Sequence, residues 1–424
     1  MKLQKYKNYL KIFIHRILLV VIAVIASLAL MYQPRVNAIS PSKIKQGTQV
    51  QSPYEDVEWK EVKHVPSVSH YHCRTQGRLD VGYDGGIRHF AISNYYPSAP
   101  CSPEEKVHQY FVAQNHPILH NGKFTSGTLN WNEIIMDPKT GWIKELPKKL
   151  QAKFPYTMGA PIFPRLQKDV IISPNAEHHS LLNISGRIHI NSLGSRFTSG
   201  NFDVGGQHQL PKHGYPIGAN LTWQDTFRKI LNQLAFKDGG GIIINHPRWA
   251  GLKHDMLCNM LDFDKQRVLG IEVFNHTAEV TRKTGWSIEE WDAILATGRR
   301  CFGFFVPDHS HERKEPFLGR NILLVNNMTE SECLRAYRQG QFYGALKGSG
   351  LRFESLTVSN GILSAKTNIV ANIKFIGKNR ILKTVKSNVG SIAIPKSGSQ
   401  FIRVEASDDK GEVIFSQPFM ITLK

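Results

Sequence analysis

The chain has 424 residues, enough for two domains and a substantial core, and its globular composition excludes long disorder. Lys and Arg number 53 against 34 Asp and Glu, a net charge of +19, which fits attraction to an anionic cell surface, a wall polymer or a phosphorylated substrate, and equally fits plain solubility. No helix-turn-helix or aromatic RNA-binding signature accompanies the charge, so no specific nucleic-acid partner is expected. Five cysteines without CxxC spacing exclude a disulfide framework and a zinc knuckle, leaving room for one bridge such as Cys73–Cys101.

In chain order, the first element is an export segment. Lys2, Lys5, Lys7, Lys11 and Arg16 precede an apolar run over 17–31, and Val36-Asn37-Ala38 offers small residues for cleavage. A signal peptide over 1–38 is expected, with an uncleaved anchor over 12–32 as the alternative. Either places the remainder outside the cytoplasm, secreted or membrane-anchored. Removing 1–38, which hold six Lys/Arg and no acid, leaves the chain strongly basic. Residues 39–64 are polar and read as a linker.

From 65 to 350, short apolar runs alternate with amphipathic helices, the mark of βα units. The runs cover 88–93, 169–173, 187–191, 241–245, 268–275 and 301–307. Consecutive apolar residues, as in Ile242-Ile243-Ile244, suit strands buried on both faces. One helix begins near Thr222 and carries Phe227, Ile230, Leu231 and Leu234. Two more open with capping boxes, Ser287 with Glu290 and Thr329 with Glu332, and close at Gly298 and Gly340. The stretch 100–165 lacks periodicity and reads as an elaborated insert over the barrel mouth. From 351 to 424 helical signals vanish, and short alternating stretches indicate a small all-β sandwich. Its role is packing and solubility, with carbohydrate or wall binding as the sharper alternative.

Four polar clusters stand at the ends of these runs: His70-Tyr71-His72, Glu177 with His189, Asn245-His246-Pro247, and Asp308-His309-Ser310-His311. Imidazole and carboxylate hold Zn, Mn or Fe, and catalytic groups of a parallel barrel collect at the C-terminal ends of its strands. On a strand, His70 and His72 point to one face, although such a pair also occurs on ordinary surfaces. Glu177 is followed by His178 and His179, so the group facing inward is open. Pro247 fixes the backbone after His246. His309 and His311 repeat the spacing of the first pair.

The order of these clusters resembles the PHP (polymerase and histidinol phosphatase) superfamily, in particular exported members with a β-rich C-terminal module. The likeness lies in His70-Tyr71-His72, Gly86 through Ser93, Gly240 through Pro247, Gly270-Ile271-Glu272-Val273-Phe274-Asn275, Trp291 through His311, and Phe401 through Ala406. The resemblance implies a distorted (β/α)7 TIM-like barrel, up to three divalent metals, and phosphoester hydrolysis. Two departures stand out. Where the family has Thr-Asp-His the chain reads Ser93-Asn94-Tyr95; where the family ends on Asp-x-His, either His309 and His311 take the two places, the favoured alignment, or Asp308 aligns and Ser310 replaces the histidine. Asp80 is a distant substitute for the acid after the first motif.

The expectation is therefore a remodelled site for about two divalent ions (Zn, Mn or Fe), held by His70, His72, Glu177, His189, His246, His309 and His311. Asp308 stands behind them as an outer partner or proton donor, and Arg248 grips a phosphate or is a plain surface arginine. The substrate is a small molecule or polymer, phosphorylated in the leading reading. A catalytically impaired barrel that binds a phosphorylated or carbohydrate ligand, and an amidase-type metal hydrolase, are the alternatives.

Overall fold

The computed structural model describes residues 42–43, 48–73, 76–93, 135–136, 143–145, 166–178, 188–195, 222–309, 318–348, 350–378, 380–395 and 397–423. The expected export segment over 1–38, most of the stretch 100–165, Cys101 and His311 lie outside the described residues. Among the described residues no helix is long and apolar enough to cross a membrane.

The strands come in three groups along the chain. The first holds β1 (Ser42–Lys43), β2 (Thr48–Gln51), β3 (Lys63–Tyr71), β4 (His89–Ile92), the short ribbon β5 (Ile135–Met136) and β6 (Ile143–Glu145), and β7 (Ile171–Ser173). The second holds β8 (Glu177–His178), β9 (Ile190–Leu193), β10 (Gly241–Ile244), β11 (Val268–Asn275) and β12 (Phe302–Val306). The third runs through β13 (Arg320–Val325), β14 (Phe342–Ala345), β15 (Phe353–Ser359), β16 (Ile362–Gly377), β17 (Arg380–Ala393), β18 (Phe401–Ser407), β19 (Val413–Ser416) and β20 (Phe419–Leu423). The helices are α1 (Gln76–Asp84), α2 (Trp223–Asn232), α3 (Pro247–Ala250), α4 (His254–Phe263), α5 (His276–Arg282), α6 (Ile288–Leu295) and α7 (Glu330–Gln339).

The result is a mixed α/β protein with two large sheets. One has thirteen strands and includes the path β14-β13-β3-β4-β7; the other runs β12-β11-β10-β9-β8. β3, β4 and β7 are mutually parallel, as are β10, β11 and β12. β9 is antiparallel to both β8 and β10, which an all-parallel TIM-like barrel does not contain. The helices bury the faces that their periodicity offers. Trp223, Phe227, Ile230 and Leu231 of α2 share one core with Ile242 and Ile244 of β10 and with Trp291, Ile294 and Leu295 of α6.

Two seams join the sheets. At one, Tyr71 and Asp308 form a parallel bridge: Asp308 N donates to His70 O (3.1 Å) and His72 N to Asp308 O (3.4 Å). Along this seam the outer edge of β12 is satisfied by side-chain amides. Gln417 accepts from Gly303 N (2.8 Å) and donates to Gly303 O (2.9 Å), and Asn321 Oδ1 accepts from Phe305 N (3.1 Å). At the other seam the Asn175 amide donates to Ser69 O (2.8 Å) and Ala91 O (3.0 Å), and the Asn191 amide to Ser69 O (3.1 Å).

From residue 48 onward, the stretch read as a linker is part of the fold. β2 pairs antiparallel with β20, Val50 and Tyr54 are buried, and the Tyr54 hydroxyl donates to Phe342 O (2.8 Å). Polar residues surround these few anchors, so the sequence there carries little strand signal. The strands after 351 pair antiparallel, and β19 continues the sheet through β14. Arg403 of β18, itself buried, reaches Asp292 of α6 (2.8 Å) and Glu405.

His89 is a buried polar tie between parallel strands. Its Nδ1 lies 2.6 Å from Ser67 Oγ on β3 and its Nε2 2.8 Å from Ser173 Oγ on β7. Burial pushes its pKa from 6.5 down to about 3. The folded value lies below the unfolded one, so the stabilisation is complete above pH 6.5 and is lost as pH falls toward 3. Wild type should lose about 2 kcal/mol from this group between pH 7 and pH 5. In urea unfolding, the stability gap to His89→Gln should shrink by that amount; a gap independent of pH would show that His89 is not buried neutral.

Candidate metal centre

Period two on β3 sends His70 and His72 to one side, while Tyr71 turns to the core beside Phe90. The two Nε2 atoms stand 3.1 Å apart. Asp308, from the loop after β12, brings Oδ1 to 3.2 Å from each of them. These three form one buried group whose ligand atoms converge; Glu177, His189 and His246 form a second. Atoms about 2.1 Å from a common ion sit at mutual separations of this size.

Glu177 faces both groups. Its Oε2 lies 3.1 Å from His72 Nε2 and 3.5 Å from His70 Nε2; its Oε1 lies 3.1 Å from His189 Nδ1 and 3.4 Å from His246 Nε2. Asn245 Nδ2 donates to Oε1 (3.1 Å). The antiparallel course of β9 explains how His189 arrives. His189 precedes its strand instead of following it, and because β9 runs against β10, its start lies beside the end of β10. There Asn245 N donates to His189 O (3.0 Å).

Glu272 has no assigned role in the sequence reading, yet it organises the centre from behind. Fully buried on β11, it takes His70 Nδ1 at 2.6 Å on Oε1, and on Oε2 accepts from His246 N (2.8 Å) and Asn275 Nδ2 (2.9 Å). A ring that offers Nε2 to a metal carries its proton on Nδ1, and a carboxylate there fixes the tautomer and aims the ring. Asn275 also donates to Asp308 Oδ2 (3.0 Å). The available signal was a single carboxylate in the otherwise apolar run Val-Leu-Gly-Ile-Glu-Val-Phe-Asn.

The electrostatics favour positive charge among these ligands. Glu177, Glu272 and Asp308 are buried within a few ångströms of one another's partners, and uncompensated charge in such a place is very costly. Burial opposes the charged form of His70, but Asp308, Glu272 and Glu177 together hold its pKa well above the ordinary value. Burial likewise opposes protonation of His246 and is outweighed by the same carboxylates. His72 is pushed down by burial and by neighbouring His309. Burial would raise the Asp308 carboxyl, but His70, His309 and His72 hold it far below the usual range. Asp308 Oδ1 and His246 Nδ1 have no hydrogen-bond partner among the described residues. An acceptor aimed between two imidazole Nε2 atoms suits a divalent ion.

The other sequence assignments fall out differently. His309 stacks flat on His72, with centroids 3.6 Å apart and planes 2° from parallel, and its Nε2 is 3.8 Å from Asp308 Oδ1. Asp308, placed in the outer shell from sequence, thus takes the ligand position intended for His309. Asp308 adopts φ +56°, so strand alternation stops before it. His311 lies outside the described residues. Arg248 is bound by Glu290 (2.9 Å) and Glu289 on α6, which leaves it no free fork for a phosphate. The expected capping box at Ser287 is absent for the same reason: Ser287 Oγ accepts from Arg248 N (3.4 Å) and Glu290 takes the guanidinium. Ser93 Oγ accepts from Tyr71 N (3.0 Å); Asn94 and Tyr95, at the place of the missing ligands, lie outside the described residues. Asp80 sits on α1, in neither group.

No protein-family model matches the chain, and no curated protein matches it. Among solved structures, the chain aligns with a two-domain protein containing a predicted PHP-like metal-dependent phosphoesterase from Bacteroides vulgatus. Identity is 12%, covering 88% of this chain and 95% of that one, with a TM-score of 0.35. Similarity at that level carries no inference, and the case for a metal centre rests on its own atoms.

Glu272→Gln retains every ligand but removes the carboxylate behind His70. In chelator competition it should weaken metal binding by about 10- to 100-fold. Unchanged affinity would mean that His70 is not oriented through Glu272.

Proposed function

We propose that the protein is an exported phosphoesterase dependent on two divalent ions (Zn, Mn or Fe), acting on a phosphorylated small molecule or polymer at an anionic cell surface. The observation that carries this reading is Glu177, whose two oxygens face two separate groups of buried ligands. A carboxylate so placed can bridge two ions. His70, His72 and Asp308 would hold one, and His189 and His246 the other. When bound, such ions supply Lewis acidity and a water of lowered pKa.

The remaining work falls to the chain. Glu272 keeps His70 in the tautomer that presents Nε2, and through His246 N it fixes the turn after β10. Asn275 and Asn245 orient Asp308 and Glu177. Asp308, held far below the ordinary carboxylate range, cannot donate a proton at neutral pH. His309 is the candidate acid: partly exposed, it lies over His72, and its Nε2 can pass a proton to the departing alkoxide. Its backbone N–H is anchored on Thr277 Oγ1 (2.7 Å), which sets the ring's place.

The same reading closes the strands into a distorted (β/α)7 barrel of the PHP type; the two seams between the sheets support it. Export, by cleaved signal or by anchor, is supported by the basic and apolar pattern of 1–38. A binding-only protein has one observation in its favour: Asn94 and Tyr95 stand in the sequence where the resembled family has an acid and an imidazole.

Protein purified without chelator should contain two divalent ions per chain and hydrolyse phosphoesters. Glu177→Gln should lower activity at least about 100-fold together with metal content. Absence of stoichiometric metal would overturn the reading, and metal without turnover on any ester would favour the binding-only protein. A second test isolates the acid. His309→Ala should slow an alkyl phosphate roughly 100-fold or more while sparing a nitrophenyl ester, whose leaving group needs no proton. Equal losses on both would remove His309 from that role.

A further inference from the structure

Arg248 is neutralised by α6, so the centre's phosphate-binding cation must be sought elsewhere. Trp249, the next residue, is half-buried, and its ring centroid lies 4.7 Å from that of His246 and 5.2 Å from that of His189. The indole therefore packs directly on two ligands of the second group. Over the same indole stands the Arg282 guanidinium, 5.1 Å from the ring centroid. It lies within about 10 Å of the His246 ring, is exposed, and has no ion-pair or hydrogen-bond partner among the described residues.

The helix that carries Arg282 ties it to the other side of the centre. α5 begins where Asn275 binds Glu272 and Asp308, and Thr277 on its first turn takes the His309 N–H. Five residues later, roughly 7–8 Å along the axis, the helix presents Arg282. α5 thus carries both the residue that anchors the proposed acid's backbone and an unneutralised cation. Stacking on an aromatic face also restricts the guanidinium before any ligand arrives. A planar fork with five donors suits a phosphate, which it can take through two parallel bonds.

We propose that Arg282, seated on Trp249, binds a second phosphate of the substrate, so that the centre prefers a bisphosphate or a phosphodiester chain to a simple monoester. This rests on the phosphoesterase reading: the first phosphate belongs at the two ligand groups, and Arg282 stands over Trp249, which packs on His246 and His189.

The test compares propanediol bisphosphate with propyl phosphate on the metal-loaded full chain, in wild type, Arg282→Met and Arg282→Lys. Methionine keeps an aliphatic contact with Trp249 without the charge. Wild type should favour the bisphosphate about tenfold in KM, equivalent to about 1.4 kcal/mol. Arg282→Met should erase that preference, with kcat on either substrate and KM for propyl phosphate within twofold of wild type. Arg282→Lys should keep part of it, since lysine retains the charge and loses the fork. A preference that survives Arg282→Met, or a loss shared equally by both substrates, would overturn the assignment. If wild type turns over propyl phosphate without preferring the bisphosphate, Arg282 is a surface cation and the phosphoesterase reading stands. If metal-loaded wild type neither binds nor cleaves either compound, the Arg282 assignment falls, while the phosphoesterase reading falls only if every other ester fails as well.

Discussion

Three buried carboxylates set the terms for the rest of this molecule. Glu177, Glu272 and Asp308 come from three separate strands or their loops, and all lie beneath the surface among imidazoles. Buried charge persists only when paired and hydrogen-bonded. Asn245, Asn275, the His246 amide and the His70 ring meet that demand as donors, and a divalent ion at each ligand group would complete it. The same demand accounts for local backbone strain. His246 and Asp308 both have positive φ, at +25° and +56°. Non-glycine residues so placed cost about 1–3 kcal/mol each and last where their surroundings over-determine them. Here both are pinned through one chain of bonds, His246 N to Glu272, Glu272 to Asn275, and Asn275 to Asp308.

What could be read from sequence follows from which physical signals are local. His70 and His72 were legible because strand alternation alone puts them on one face, and β11 was placed at Val268–Asn275 because an unbroken apolar run needs no partner to be recognised. Strand direction leaves no such trace. The run containing His189 looked like another parallel strand, and its antiparallel course reversed the end at which His189 stands while leaving the residue in the site. Glu272 sat in a run that read as core, and its partners come from β3, the turn after β10 and its own strand. Ser287 and Glu290 show the opposite error. A cap and an ion-pair partner use the same residue types, and only tertiary contact shows that both residues attend to Arg248.

The C-terminal strands bear on the centre through β12. That strand has β11 on one side, but toward β13 and β3 it lacks a full ladder, and its backbone groups there still need partners. Gln417 meets Gly303 with both ends of its amide, as a neighbouring peptide unit would, and Asn321 meets Phe305. Gly303 itself has no room for a side chain, since a Cβ there would stand 2.8 Å from Trp291. Arg403 then binds Asp292 on the helix that packs Trp291 against this strand. Five residues beyond Gly303 the chain delivers Asp308 to His70 and His72. The β-rich region is thus structurally continuous with the metal centre: its Gln417 holds the strand that aims one ligand, and β19 extends the sheet that leads through β14 and β13 to β3, which carries His70 and leads directly to His72. A packing role, the plainer of the two readings for this region, is sufficient to tie its presence to the geometry of the site.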